Sequence, residues 1–407
     1  MNEIQQTDLL IVGAGPAGLS AATTISADRD FRVMIIDEFP EPGGRLLGQF
    51  HEARDRSWWV GKTVAANLIA QNVSAGVTIQ CGVSVYGLEL LPGGWKVLTS
   101  KGDIHTKYLL LATGAAEIPV PVSGWTLPGV MSIGAAQVMA NVHQVKPGKK
   151  GYIVGINVLS LAIARELTVA GIEIEGIALP PSDLFATEET TPVTAVELLT
   201  RLSDAAPASW MRWGGKLAQK MKLSRLIASC FPKKGLKVWD LPLQLRTALV
   251  SIQGIDQVES VIVADVTSSG EIIEGSQREI KVDFVAIAGG LYPLAELAAL
   301  AGCPFLYVPE LGGNIPIHNE RMKTTLPNLY VAGNITGIEG AQVAMAQGRL
   351  VAHSILYDDG WFACEEEPKL LDAIDEVKEV RNSAMIQFHP EIDSARKRIY
   401  ELFDHWM

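Results

Sequence analysis

Residues 8–37 run DLLIVGAGPAGLSAATTISADRDFRVMIID. Leu9, Leu10, Ile11 and Val12 form the short continuous apolar run of a strand covered on both faces, and the run stops at once in Gly13-Ala14-Gly15-Pro16-Ala17-Gly18. Leu19, Ala21, Ala22 and Ile25 follow at helical spacing, and after Arg29-Asp30 a second strand, Phe31 to Ile36, closes with Asp37. Strand, glycine turn, helix, strand and acid in this order make a βαβ unit that grips a dinucleotide. Gly13 permits the tight turn, Gly15 removes the side chain that would hold the backbone away from a pyrophosphate, and Gly18 lets helix and strand touch. The helix amino terminus offers free N–H groups and partial positive charge to the phosphates. Asp37, roughly twenty residues beyond the last glycine, stands where a carboxylate accepts hydrogen bonds from a ribose diol.

Outward from this unit, Glu38-Phe39-Pro40-Glu41-Pro42-Gly43-Gly44-Arg45 carries a glycine pair that lets backbone pass close to something large and flat, which favours a flavin over a nicotinamide. Tyr108 to Leu111 is a further strand-like run ending in Ala112-Thr113-Gly114-Ala115, and Leu329-Tyr330-Val331-Ala332 leads into Gly333-Asn334. Ligands of open parallel sheets lie at the carboxyl ends of strands, so each of these endings is an expected cofactor edge.

With these motifs in order, the chain resembles the two-dinucleotide-binding-domain flavoproteins that share the glutathione and thioredoxin reductase architecture. The stretches LLATGAAEIPVPVSGWTLPGVMSIGAAQ, GGLYPLAELAALAGC and GGNIPIHNERMKTTLPNLYVAGNITGIEGAQVAMAQGRL are similar to the A-type (alpha) subunits of opine oxidases, hydrogen cyanide synthase and dye-linked proline or hydroxyproline dehydrogenases. The resemblance implies FAD, a partner in the form of a second flavoprotein subunit, and a small amine or imino acid oxidised by the complex. It also implies that Gly13, Gly15, Gly18 and Gly44 approach the cofactor, that Asp37 holds the adenosine ribose, and that Thr113 and Gly114 line its course. Pro16, Ala17, Glu38, Gly43, Arg45, Val85 and Ala112 complete the expected FAD contacts on that side. Gly333-Asn334 corresponds to a motif that usually ends in aspartate; asparagine keeps an acceptor oxygen and adds donors, so the hydrogen-bond pattern must differ. Gly340 and Ala341 open an apolar segment, Val343 to Ile355, expected as a helix whose amino terminus stabilises negative charge on the reduced pyrimidine ring.

A second βαβ unit departs from the pattern. Lys150 to Gly155 is again a strand ending in glycine, with Val158 to Ala170 as a helix and Ile172 to Ile177 as a strand. Asn157 and Ser160 occupy the places of the second and third glycines, and Ala178-Leu179-Pro180-Pro181 offers neither acid nor arginine. NAD(P) binding there is therefore disfavoured.

The 407 residues, 48% hydrophobic and 19% charged, suffice for two or three compact domains, and a formal charge of −11 argues against nucleic acid as a partner. Cys81, Cys230, Cys303 and Cys364 include no C-x-x-C, so neither a redox-active disulfide nor a zinc finger is expected, and one thiolate cannot hold an iron-sulfur cluster. The histidines form no metal-ligand pair, and no acid-base or nucleophilic constellation stands out, so metal is not expected and the catalytic residues stay unassigned. MNEIQQTDLL lacks a basic n-region and no apolar run could span a bilayer, so a cytoplasmic protein without a transmembrane segment is expected. The stretch Ser209 to Trp239 interleaves Arg212, Lys216, Lys220, Lys222, Arg225, Lys233, Lys234 and Lys237 with Trp210, Trp213, Leu217, Met221, Leu226, Ile227 and Phe231. It is expected as a basic amphipathic helix covering its own domain, with a partner surface as the next reading and an anionic membrane surface as the last.

The expected architecture is α/β, a two-domain Rossmann-like fold. Residues 1–118 and 284–360 form a discontinuous FAD domain, 119–283 an inserted NAD(P)-binding-like domain with a degraded nucleotide site, and 361–407 a helical extension. The preferred function is the A-type subunit of a heteromeric amine or imino-acid dehydrogenase that accepts or relays electrons. The alternatives are a stand-alone NAD(P)H-dependent flavin reductase or ferredoxin reductase-like enzyme, and a non-catalytic scaffold holding an adenine nucleotide.

Overall fold

The computed structural model describes residues 5–28, 31–52, 57–181, 191–201, 223–232, 235–238, 240–360, 363–384 and 387–406. Much of the basic stretch, from Trp210 to Lys222 with Lys233, Lys234 and Trp239, lies outside the described residues.

The strands used below are β1 (Gln5–Val12), β2 (Val33–Asp37), β3 (Thr78–Cys81), β4 (Val85–Leu91), β5 (Gly94–Thr99), β6 (Gly102–Leu111), β7 (Val130–Ser132) and β8 (Lys150–Val154). They continue with β9 (Glu173–Leu179), β10 (Leu236–Val238), β11 (Leu241–Gln253), β12 (Ser260–Asp265), β13 (Arg278–Lys281), β14 (Phe284–Ile287) and β15 (Leu329–Val331). The helices are α1 (Pro16–Asp28), α2 (Gly61–Ser74), α3 (Val158–Val169), α4 (Ala341–Asp359), α5 (Ala363–Ser383) and α6 (Ile392–Trp406).

The chain divides into two compact units, one of Met1–Gln49, Val60–Ala116 and Leu291–Met407, the other of Phe50–Trp59 and Glu117–Gly290. In the first, the sheet order is β3-β2-β1-β6-β5-β4, with β15 paired to β6. β1 runs parallel to β2 and β6, and β15 parallel to β6, while β5 is antiparallel to its neighbours. The chain leaves β1 through α1 to β2 on one side, and β6 lies on the other. The carboxyl end of β1 is thus a topological switch point, where an open sheet leaves a crevice.

Why β1 reads as a continuous apolar run is visible in its packing. Side chains alternate across a strand, so Leu9 and Ile11 enter the core made with Leu19, Ala22, Ile25, Leu350 and Ile355. Leu10 and Val12 enter the opposite core with Ile36, Leu109, Leu111 and Val331. α5 adds Leu370, Ala373, Ile374 and Val377 to the first of these. α6 places Ile392, Ala395 and Ile399 against Val308, Leu311 and Ile315.

The second unit holds the sheet β7-β14-β8-β9-β11-β12-β13, with β10 on β11. Phe284–Ile287, where the sequence reading begins the returning segment, belongs here because β14 pairs in parallel with both β7 and β8. Ile153 joins the core under α3, and Tyr152 and Val154 face the other way, repeating the logic of β1.

Candidate functional site

At the end of β1 the backbone is crowded on one side and open on the other. Gly13 has φ 113°, and a Cβ there would lie 2.3 Å from the Ala112 carbonyl oxygen. A Cβ on Gly18 would lie 2.0 Å from the Gly13 oxygen, so helix and turn are in backbone contact. At Gly15 an added Cβ would meet nothing within 4 Å. That open face lies at the amino terminus of α1, where Gly15, Pro16, Ala17 and Gly18 carry no side chain able to cap the amides.

The other expected residues of this unit close around the turn. Asp37 accepts from the Ala14 amide at 2.6 Å with one oxygen and from the Phe39 amide at 2.9 Å with the other. Each carboxylate oxygen retains further acceptor capacity. The Gly43 amide donates to the Ala14 carbonyl at 2.8 Å, and a Cβ on Gly44 (φ 53°) would stand 3.0 Å from Gly15 Cα, so the glycine pair lies directly on the first turn. Glu38 is exposed, and Arg45 is turned to the Ala115 carbonyl, donating from Nη2 at 2.9 Å. Val85 is half-buried, opposite Thr99, and packs against the core of Val12 and Ile36.

The later motifs reach the same place. The Ala112 amide donates to Val12 and the Ala332 amide to Leu111, so β1, β6 and β15 end in step. Thr113 gives its hydroxyl hydrogen to the Leu294 carbonyl, and Gly114 accepts from the Leu294 amide at 3.0 Å. A Cβ on Gly333 would lie 3.1 Å from the Ala17 Cβ, and one on Gly348 would lie 2.1 Å from the Ala17 oxygen. Gly333 and Gly348, more than three hundred residues further on, therefore meet the amino-terminal turn at the start of α1. Asn334 uses its side-chain oxygen to accept the Glu339 amide at 3.2 Å, a bond that an aspartate oxygen would make equally, so the difference from aspartate lies in its amide NH2 group. Gly340 caps α4 with no side-chain bond, leaving the first amides of Ala341–Asp359 uncapped by side chains.

Immediately before Gly340 stands a group absent from the sequence reading. Glu339 is 8% exposed, receives Arg381 Nε at 2.6 Å on one oxygen and receives Arg396 Nη2 on the other. Burial pushes its carboxyl up, but the Arg396 and Arg381 charges outweigh that and hold it below the usual carboxylate range. Glu339 was legible only as a neighbour of Gly340; its partners, 42 and 57 residues away, carry no local signal.

The second glycine turn is built differently. The Asn157 side chain accepts the Ser160 amide at 2.9 Å, the Ser160 hydroxyl accepts the Asn157 amide at 2.9 Å, and Asn157 Nδ2 donates to Ala288 at 2.9 Å. This capping box occupies helix-end donors of α3 that the first turn leaves bare. The Asn157 side chain thus satisfies an amide at the start of α3 from within the chain.

α3 also carries Glu166, 6% exposed, whose carboxylate accepts from the Phe50 amide and from the Gln137 and Asn141 side chains. Burial pushes its carboxyl up to about 7, against the opposing donors Gln137, Phe50 N–H and Asn141. A raised folded-state pKa contributes stability that is complete below the unfolded value of 4.5 and is lost as pH rises through about 7. The effect is on the order of 3 kcal/mol, at about 1.4 kcal/mol for each pH unit. The melting temperature is expected to fall between pH 5 and pH 8, and to fall less in Glu166→Gln. Parallel profiles for the two proteins would refute this.

The sequence matches a known family pattern over most of the chain, at residues 7–221 and 243–348. The chain belongs to the pyridine nucleotide-disulphide oxidoreductase family. Its relatives in this family include the A-type subunit of opine oxidase from Agrobacterium tumefaciens, 28% identical over 367 residues, covering 86% of this chain and 65% of that one. The HcnB subunit of hydrogen cyanide synthase from Pseudomonas aeruginosa is 25% identical, covering 85% of this chain and 70% of its own. The fold is that of L-proline dehydrogenase from P. horikoshii, at TM-score 0.63 and 20% identity, with 91% of this chain and 60% of that chain aligned. The chain thus spans under two thirds of the length of the opine oxidase polypeptide it matches. As in other members of this oxidoreductase flavoprotein family, parallel α/β sheets carry the glycine turns. α5 and α6, which supply Arg381 and Arg396, lie beyond the matched residues. Among the described residues no helix is long and apolar enough to cross a membrane.

Proposed function

We propose that this chain is the FAD-binding A-type subunit of a heteromeric amine or imino-acid dehydrogenase, accepting or relaying electrons rather than oxidising the substrate itself. The observation that carries this reading is the contrast between the uncapped start of α1 and the capping box of α3. The Gly15 face accommodates a diphosphate, Ala17 and Gly18 offer amides to it, and Asp37 retains acceptor capacity for a ribose. The backbone at Gly44, Thr113–Gly114 and Gly333–Asn334 borders the path of the remaining cofactor. Bound there, FAD supplies reversible redox chemistry. The start of α4 at Gly340–Ala341 contributes uncapped amides and a positive helix end, which favour negative charge without any titrating side chain. α3 offers no such welcome, so a nicotinamide nucleotide is not the electron source.

Kinship with the opine oxidase and hydrogen cyanide synthase polypeptides supports an electron partner on a second polypeptide. Weighing the nucleotide released from purified protein is expected to return FAD. Anaerobic NADH or NADPH is expected to leave the flavin absorbance unchanged over minutes, and a second flavoprotein is expected to copurify from the native cell. Rapid bleaching of a homomeric preparation by either nucleotide would instead establish a stand-alone reductase.

A further inference from the structure

The first amides of α4 carry no side-chain cap, and Gly340 can supply none. One place before it stands Glu339, and a carboxylate so close to a helix start is drawn to the bare amides and to the positive end of the helix. The fold turns it elsewhere. One Glu339 oxygen receives Arg381 Nε of α5 at 2.6 Å, and the other receives Arg396 Nη2 of α6 and lies 3.5 Å from Gln347 Nε2. Gln347 also accepts the Gly333 amide at 2.7 Å, and the Thr336 hydroxyl donates to the Gly333 carbonyl at 2.9 Å. The segment from Gly333 to Gly340 is therefore held from α4 at one end and from both C-terminal helices at the other.

The charges of this cluster cancel. Arg396 and Arg381 are 1% and 7% exposed, both face Glu339, and the exposed Asp393 lies 3.7 Å from Arg381. Tyr400 stands in hydrogen-bond relation to the Arg396 guanidinium. Two carboxylates, Glu339 and Asp393, thus face two guanidiniums. Without the arginines, a full negative charge would stand one residue from Gly340, and a buried charge is screened far less than one in water.

Resting on the assignment of FAD to this crevice, we propose that Arg381 and Arg396 are positioning residues of the cofactor site, turning the Glu339 carboxylate away from the α4 amides and cancelling its charge. The amides then remain available to the negative charge of the reduced flavin. Both arginines act through Glu339. Because α5 and α6 lie beyond the family-matched residues, control over the balance between oxidised and reduced cofactor resides in this chain's C-terminal segment.

The test is the midpoint potential of the bound flavin, measured anaerobically on the purified 407-residue protein by equilibration with reference dyes, across a series of charge changes. Arg381→Gln leaves one negative charge in excess. It is expected to lower the ratio of reduced to oxidised FAD affinity about tenfold, a fall of roughly 30 mV for a two-electron couple. Glu339→Gln leaves one positive charge in excess and is expected to raise the potential by a similar amount. The double variant restores neutrality and is expected to return close to the wild type, as is Arg381→Lys, which keeps the charge. Melting temperatures are expected to fall in every variant, since each loses buried bonds, so stability does not follow the order of the potentials. If Arg381→Gln does not fold, a raised potential in Glu339→Gln beside an unchanged one in Arg381→Lys still supports the assignment. A flavin-loaded series at one potential, or shifts of a single sign that track the melting temperatures, overturns this inference alone. A wild-type protein that neither carries nor takes up FAD overturns the cofactor assignment and this inference with it.

Discussion

Gly15→Val is expected to give a folded protein without its flavin, and Gly18→Val a protein that fails to fold. The two glycines are three residues apart, and the difference lies in what their missing side chains face. At Gly15 an added carbon meets nothing within 4 Å, so chain packing tolerates it while the approach of a diphosphate to the α1 amides is blocked. Losing two charge-assisted hydrogen bonds at ~1.5–3 kcal/mol each weakens cofactor binding by about a hundredfold or more. At Gly18 the same carbon falls 2.0 Å from the Gly13 oxygen and 3.0 Å from Ile11 Cγ2. Overpacking of side chains costs ~1–3 kcal/mol, and here a main-chain atom with no freedom to yield is the obstacle. Far-ultraviolet dichroism with visible absorbance separates the cases. A yellow Gly15→Val protein would sink the assignment of the crevice, and a wild-type melting curve for Gly18→Val would sink the close contact.

The second large effect is at Glu339. Replacing it by alanine leaves Arg381 and Arg396, 7% and 1% exposed, without their common counter-charge. Removing one partner of a buried ion pair costs about 3–5 kcal/mol, because the stranded charge cannot recover its hydration. Urea denaturation should show a loss of this size, and hydrogen exchange should show α5 and α6 losing protection before the β1 sheet does. A change under about 1 kcal/mol would place the arginines in solvent rather than in a sealed cluster.

What could be read in the sequence was whatever is local. The strand run Leu9–Val12, its glycine turn and Asp37 announce themselves within thirty residues, because periodicity and turn chemistry are short-range. Asn157 was legible as an obstruction, but not as half of a capping box tied to Ala288, since that bond crosses 131 residues. Asn334 was legible as a departure from aspartate, and only the fold shows its oxygen turned to the Glu339 amide. Nothing near Arg381 or Arg396 points to Glu339, for their meeting is decided by how α5 packs on α4 and α6 on Val308, Leu311 and Ile315. Glu166 reads as an ordinary helical acid, and only its surroundings raise its pKa.

The fit of Gly348 against the Ala17 carbonyl has a bearing on biogenesis. A nascent polypeptide holding only its first βαβ motif lacks α4 and β15, hence an entire wall of the crevice. More than three hundred codons separate Gly13 from Gly348, roughly half a minute of synthesis at ~5–20 residues per second. The ribosome therefore finishes nearly all of the polypeptide before a prosthetic group can be enclosed, and truncated products emerge unable to retain one.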